Sequence, residues 1–98
     1  MKNPSSSEIF LESRQRFARN LRTLRRLKDI SQEQLAHDAG ISRAYLGDVE
    51  RANRAVTIDV MGKLAQALHV DLALLLQENP LLDLQNLATA IKTDPERK

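Results

Sequence analysis

Cysteine, aromatic residues and glycine are among the residue types that this 98-residue chain has least of. Because it contains no cysteine, a disulfide framework and thiolate metal sites are excluded. The two histidines stand far apart in the sequence, so we predict no metal site and no cofactor. Aromatic residues make up 3% of the sequence, too few for the base-stacking platform of a single-strand or RNA binder.

Long apolar runs and clustered catalytic groups are also missing. The longest apolar run, residues 72–76, has five residues, whereas a membrane-spanning helix needs about 20. Residues 1–7 lack the apolar core of a signal peptide, so we expect a soluble, cytoplasmic protein with no membrane partner. With three glycines, no paired carboxylates and no nucleophile beside a base, the chain is not expected to be an enzyme.

Charge is distributed unevenly along the chain, although the net charge is only +2. Residues 14–28 contain seven cations and no acid, while the last 28 residues contain five acids against three cations. A basic helix of this kind is attracted to the phosphates of duplex DNA. Within it we predict Arg22 and Arg26 as phosphate contacts, whereas Arg14 and Arg16 serve equally well as a solvated face.

Two short helices joined by a tight turn are predicted between residues 31 and 54. Ser31 is typical of an N-cap, and Gln34 three residues later completes a capping box. Gly40 provides the left-handed position that ends the first helix, and Ser42 caps the second. The second helix has two inward apolar residues three apart, Leu46 and Val49. The opposite face of this helix is therefore free to contact another molecule.

Apolar periodicity predicts an all-α fold for the rest of the chain. A first helix runs to about Lys28, Thr57 caps a fourth and Asp71 a fifth, and Asn79 with Pro80 opens a sixth. We divide the chain into a flexible N-terminus, a helix-turn-helix domain, a C-terminal helix and a disordered tail: residues 1–8, 9–78, 79–92 and 93–98.

Residues 31–54, SQEQLAHDAGISRAYLGDVERANR, resemble the Cro/C1-type (XRE) helix-turn-helix family in the order SQ-x-x-LA, central glycine, Y-L-x-x-x-ER. The resemblance extends over residues 17–76, and RAYLGDVERANRAVTID is most similar to controller proteins of restriction-modification systems. It implies a compact five-helix, lambda-repressor-like DNA-binding domain, beyond which the sixth helix lies. It also implies a regulator that binds double-stranded DNA, including its own promoter.

The resemblance places helix three, residues 42–51, in the major groove of DNA, with its N-terminal side chains nearest the base edges. Arg43 matches the family's main base-reading position, where a guanidinium grips guanine O6 and N7, although a phosphate contact is the alternative. Ala44 is suited to a thymine methyl, or is simply small enough to allow close approach. Asp48 is suited to cytosine N4, and Ser42 completes the predicted base contacts.

Backbone contacts and one ion pair follow from the same resemblance. The predicted phosphate contacts, besides the two arginines of helix one, are Gln32, Tyr45, Arg51 and Arg54. The ring of Tyr45 has the alternative role of packing against helix two. Glu50 is implied to pair with Arg25 and so to hold helix three in place rather than to touch DNA.

Departures from the family pattern concern helix ends. Asp29, Ala52 and His69 stand where glycine is common, and Asp and His tolerate left-handed dihedrals better than alanine. Asn53 is therefore an alternative to Ala52 for the left-handed position after helix three. Gly47 inside helix three is explained by close approach of a DNA backbone or a partner helix, or by no constraint at all.

We expect a homodimer on a pseudo-palindrome, because one recognition helix reads too few base pairs to specify a genomic site. The predicted interface residues are apolar and lie in helices five and six: Leu72, Leu84, Leu87 and Ile91. In the alternative, helix six folds back onto its own core. No small-molecule effector is evident, and the competing functional hypothesis is an antitoxin or another protein-interaction module.

Overall fold

The structure, a computed structural model, describes residues 6–78 and the side chains of residues 12–78. This part of the chain is helical, and its helices are α1 Ser6–Leu27, α2 Gln32–Ala39, α3 Arg43–Glu50, α4 Ile58–Ala67 and α5 Leu72–Leu75. The predicted all-α, five-helix domain is confirmed. The predicted sixth helix, the disordered tail and residues 1–5 of the predicted flexible N-terminus lie outside the described residues. Residues 6–8, the rest of that predicted N-terminus, belong to α1.

Side-chain caps begin α2 to α5 and explain why each helix starts where it does. The backbone N–H groups of Gln34 and Tyr45 donate to the hydroxyls of Ser31 and Ser42, both over 3.0 Å. Thr57 caps α4 and Asp71 caps α5 in the same way. The capping box predicted for α2 is only half formed, because the Gln34 side chain donates to Asp38 Oδ1 over 2.8 Å instead.

Left-handed residues terminate the helices as the sequence predicts, with one correction. Gly40 has φ 72°, and Asp29 and His69 have φ 62° and 61°. After α3 it is Ala52, not Asn53, that takes the left-handed position, with φ 59°. As a result α3 ends at Glu50 with Arg51 as its C-cap, one residue short of the predicted end at 51.

The core lies between the five helices. α1 packs against α3 and α5, and α2 packs against α3 and α4. The fully buried large side chains come from all five helices: Phe17, Leu21, Leu24, Leu35, Leu46, Val49, Leu64, Leu68 and Leu75. Met61 of α4 is only half-buried and packs against this core. Burying this apolar surface fixes α2 and α3 on the end of α1.

Asn20 connects α1 to the end of α5. Its side chain is 2% exposed and its Nδ2 donates to the carbonyls of Leu75 and Gln77, over 2.9 and 2.8 Å. Because these carbonyls lie at the end of α5 and just beyond it, the amide satisfies acceptors that the short helix leaves free. None of the helices described is long and apolar enough to cross a membrane.

Candidate nucleic-acid interface

The N-terminal half of α3 is the centre of the candidate interface. Leu46 and Val49 are 0% and 1% exposed and anchor one side of the helix in the core. On the opposite side Arg43 and Ala44 are exposed, at the end of the helix that Ser42 caps. The helix is thus fixed by one face and presents the other, the arrangement that the predicted base contacts require.

An open polar pocket of about 590 Å³ joins α3 to the ends of α1 and α2. It is lined by Arg25, Arg26, Ser31, Gln32, Glu33 and Arg43. Three predicted DNA contacts from three different helices, Arg26, Gln32 and Arg43, therefore meet at one surface. The free N–H groups at the start of α2 add partial positive charge here, which favours an anion.

Glu50 is the buried centre of this arrangement, with 2% of its surface exposed. Arg25 donates to it twice, from Nε to Oε2 over 2.6 Å and from Nη2 to Oε1 over 3.0 Å, which is the ion pair that the resemblance implies. Arg25 Nη1 also donates to the Ile30 carbonyl over 2.9 Å. The same guanidinium thus ties α3 to α1 and to the loop before α2.

Two predicted phosphate contacts also bond to Glu50. Gln32 Nε2 donates to Glu50 Oε1 over 2.9 Å, and Arg22 Nη1 donates to the Glu50 backbone carbonyl over 2.6 Å. The amide of Gln32 has a second N–H, and a guanidinium has five, so both retain donors for a phosphate. Sequence reasoning missed these bonds because neither partner is close in the chain.

Asp48 and Arg51 form a second ion pair, on the exposed side of α3. Arg51 Nη2 lies 2.6 Å from Asp48 Oδ1, a spacing of three residues along one helix. Gly47 is buried under this arginine rather than open to solvent. The two predicted DNA contacts therefore bond to each other, and their i,i+3 spacing is the sequence signal that could have indicated this pair.

Tyr45 and Arg54 stack on each other. The guanidinium carbon of Arg54 lies 5.0 Å from the centroid of the Tyr45 ring, within the range of a cation–π contact. Tyr45 is half-buried and packs against the core cluster, part of which comes from α2. This contact gives Arg54 a defined position in the loop after α3. In that loop Ala52, not Asn53, takes the left-handed conformation.

Lys28 was not singled out by sequence reasoning. Its Nζ donates to the backbone carbonyl of Leu68, the C-cap of α4, and thereby connects the end of α1 to the end of α4. Partial burial lowers the pKa of Lys28, because desolvation disfavours the charged ammonium. Its position at a helix C-terminus is one where a cation is favourable. This lysine serves the fold, not the exposed face of α3.

An apolar groove of about 420 Å³ lies away from α3, lined by Ser13, Arg14, Phe17, Ala55, Val56, Met61 and Leu76. Leu76, with 40% exposure, follows α5 directly, and residues 79–98 continue from that end of the domain. Of the predicted interface residues, Leu72 is half-buried on α5; the other three lie outside the described residues. Among residues 12–78, whose side chains the structure describes, no group of acidic residues and histidines is able to hold a metal ion.

Comparison with known proteins agrees with this geometry. A helix-turn-helix family model matches residues 21–75. Control protein C.SmaI of Serratia marcescens is 37% identical over 78 residues, which cover 80% of this chain and 93% of that protein. Control protein C.BamHI of Bacillus amyloliquefaciens is 38% identical over 55 residues, which cover 55% of this chain and 68% of that protein.

Solved structures extend the likeness from sequence to fold. The crystal structure of the restriction-modification controller protein C.AhdI from Aeromonas hydrophila matches with a TM-score of 0.63 and 41% sequence identity. The match covers 65% of this chain and 97% of that one. The chain therefore belongs to the XRE-type helix-turn-helix family and is a DNA-binding transcriptional regulator.

Proposed function

We propose that the protein is a sequence-specific regulator that binds a pseudo-palindromic operator as a homodimer, in the cytoplasm, and acts as a controller protein on its own promoter. The observation that carries the proposal is the meeting of Arg26, Gln32 and Arg43 around one open polar pocket beside the exposed face of α3. The similarity to C.SmaI, C.BamHI and C.AhdI supports the controller role.

Base recognition is assigned to the start of α3. Arg43 is exposed and free to make two parallel hydrogen bonds to guanine O6 and N7, which discriminate by about 1 to 3 kcal/mol. Ala44, one residue further, is small and exposed and suits a thymine methyl. Ser42 is committed to capping through its hydroxyl oxygen, but its O–H hydrogen is free to donate to a base edge.

Phosphate contacts surround these residues on two sides. Arg26 and Gln32 lie at the polar pocket, with Arg22 beside them through its bond to Glu50. Tyr45 and Arg54 are stacked beyond α3, where the hydroxyl and the guanidinium are suited to a second phosphate. Contacts of this kind fix the register of the protein on the duplex, whereas the start of α3 selects the sequence.

The dimer interface is assigned to α5 and the C-terminal segment, through Leu72, Leu84, Leu87 and Ile91. Leu72 and the exposed Leu76 offer an apolar surface on a domain too small to bury much more alone. Leu87→Glu should halve the mass in solution and weaken operator binding, with Thr93→Glu as a control of equal charge change. An unchanged mass would point to another interface.

The test of the proposed function is selection of bound duplexes from a random DNA pool at physiological salt. The wild type should enrich a two-fold symmetric motif, and Arg43→Ala should lose preference at one base pair of each half-site. Arg14→Ala, which removes the same charge at the apolar groove, should retain the motif. If the folded wild type enriches no motif, the proposal is wrong and a protein-interaction role takes its place.

A further inference from the structure

Gly47, a glycine inside α3, allows the Arg51 side chain to lie against the helix backbone. A Cβ placed on Gly47 would lie 3.1 Å from Arg51 Nη1, 3.7 Å from Nη2 and 3.8 Å from Cζ. The Arg51 guanidinium therefore lies directly on the backbone of α3, one turn before its own Cα. Glycine is among the poorest helix formers. Because it has no side chain, glycine at position 47 allows the Arg51 side chain to approach the helix backbone closely.

Asp48 holds the Arg51 guanidinium in this position beside Gly47. Its Oδ1 accepts from Arg51 Nη2 over 2.6 Å, and the two side chains retain 33% and 60% of their exposure. Positions 43, 47 and 51 are four residues apart and share one face of a helix. The guanidinium thus lies on the same face as Arg43, with the remaining N–H donors of Arg51 unclaimed by Asp48.

We propose that Arg51 reads a base edge in the major groove, with Asp48 and Gly47 as its positioning residues. The inference rests on the proposed function, in which α3 lies in that groove. It changes the role of Arg51 from a phosphate contact to a specificity determinant. It also changes the role of Asp48, whose carboxylate orients the arginine instead of accepting from cytosine N4.

The chemistry of the pair favours a base over a phosphate. A carboxylate 2.6 Å from the guanidinium repels a phosphate and offsets the charge that would attract one. Guanine, in contrast, presents two acceptors that need a guanidinium in a fixed orientation. The arrangement therefore improves orientation at the cost of charge.

The test measures affinity for the selected duplex and for variants changed at each single base pair. Arg51→Ala should lose about tenfold discrimination at one base pair of each half-site, different from the pair that Arg43→Ala relaxes. Asp48→Asn should relax the same base pair as Arg51→Ala. The double variant should be no worse than Arg51→Ala alone, because the two residues act as one unit.

Gly47→Ala separates positioning from folding. The new methyl group would lie 3.1 Å from Arg51 Nη1, closer than an ordinary van der Waals contact, so the guanidinium must shift and discrimination should fall at the base pair that Arg51→Ala relaxes. Alanine strengthens a helix, so the melting temperature should stay level or rise. A loss of discrimination together with retained stability identifies a displaced reader, not a damaged fold.

Three outcomes would overturn the proposal. Arg51 is a phosphate contact if Arg51→Ala weakens binding to all duplexes equally and lowers the slope of log affinity against log salt concentration by about one. If Asp48→Asn relaxes a different base pair, Asp48 reads DNA itself. In both cases Arg43→Ala still alters the motif, so the proposed function stands. A wild type that enriches no motif overturns both proposals.

Discussion

Two ion pairs of equal length lie on opposite sides of α3 and differ in their burial and in their roles. Arg25 and Glu50 are joined over 2.6 Å with 11% and 2% of their side chains exposed. Arg51 and Asp48 are joined over the same distance with 60% and 33% exposed. Burial makes the first pair costly to break, because a lone charge would remain in the interior, whereas solvent screens the second.

The comparison shows how one short helix is both fixed and able to read. The buried pair, with Gln32 and Arg22 bonded to the same Glu50, determines where α3 lies relative to α1 and α2. The exposed pair determines the position of a single side chain on a helix that is already in place. Stability should therefore depend on the first pair, and sequence preference on the second.

The largest expected effect is that of Glu50→Ala. Removal of the carboxylate leaves the Arg25 guanidinium buried without its partner, which should cost about 3 to 5 kcal/mol of unfolding free energy. Urea denaturation followed by circular dichroism measures this loss. Glu33→Ala, which removes an exposed carboxylate from α2, is the control and should change stability by about 0.5 kcal/mol at most. Equal effects of the two variants would contradict the structural role of Glu50.

A pair of conservative substitutions sharpens the comparison further. Arg25→Lys keeps the charge but cannot reproduce the fork that bonds Glu50 twice and Ile30 once, so we expect a loss of about 2 kcal/mol. Arg51→Lys, the same change in the exposed pair, should alter stability by about 0.5 kcal/mol or less. Chemical denaturation of both variants side by side tests whether burial is the deciding difference.

The end of α3 offers a smaller, stabilising change. Ala52 has φ 59°, a conformation that costs an alanine about 1 kcal/mol, so Ala52→Gly should raise the unfolding free energy by about that much, less the backbone entropy of glycine. Asn53→Gly is the matched control, since Asn53 does not take the left-handed position, and it should give no gain. A greater gain at Asn53 than at Ala52 would contradict the assigned end of the helix.

Asp48→Asn should have the smallest effect on stability. The exposed pair contributes about 0 to 1 kcal/mol, so its melting temperature should lie close to that of the wild type. Thermal unfolding checks this expectation in the same preparation that is used for DNA binding. A marked loss of stability would show that the pair supports the fold of α3 and would remove the contrast between the two sides of the helix.

Local signals in the sequence predicted the helices well because they act within one turn. Ser31, Ser42 and Thr57 each bond a backbone N–H three residues later, a contact that the residue type alone indicates. Gly40 was predicted to be left-handed and is. The choice of Ala52 over Asn53 could not be predicted in this way, because the packing of α3 and its following loop outweighs the intrinsic preference of either residue.

The candidate site was predicted as a set of residues, not as a set of contacts. Asp48 and Arg51 were assigned to different parts of DNA, and Gly47 was explained by a DNA backbone, a partner helix or no constraint. All three nevertheless lie in one eight-residue helix and its cap. Their contact depends on the rotamer of a long side chain, which sequence spacing permits but does not select. Gln32 was likewise assigned to a phosphate without its bond to Glu50, which lies 18 residues away.

By itself the sequence determined the helices, their caps and the family, because these depend on residue types at fixed short spacings. Only the tertiary structure decided which charges are buried. Packing of the apolar core brings α1, α2 and the end of α3 together around Glu50. The Arg25–Glu50 pair is therefore buried, whereas the Arg51–Asp48 pair of the same length is exposed. The physical reason is that burial depends on every element around a group, whereas helix formation depends mainly on its neighbours in the chain.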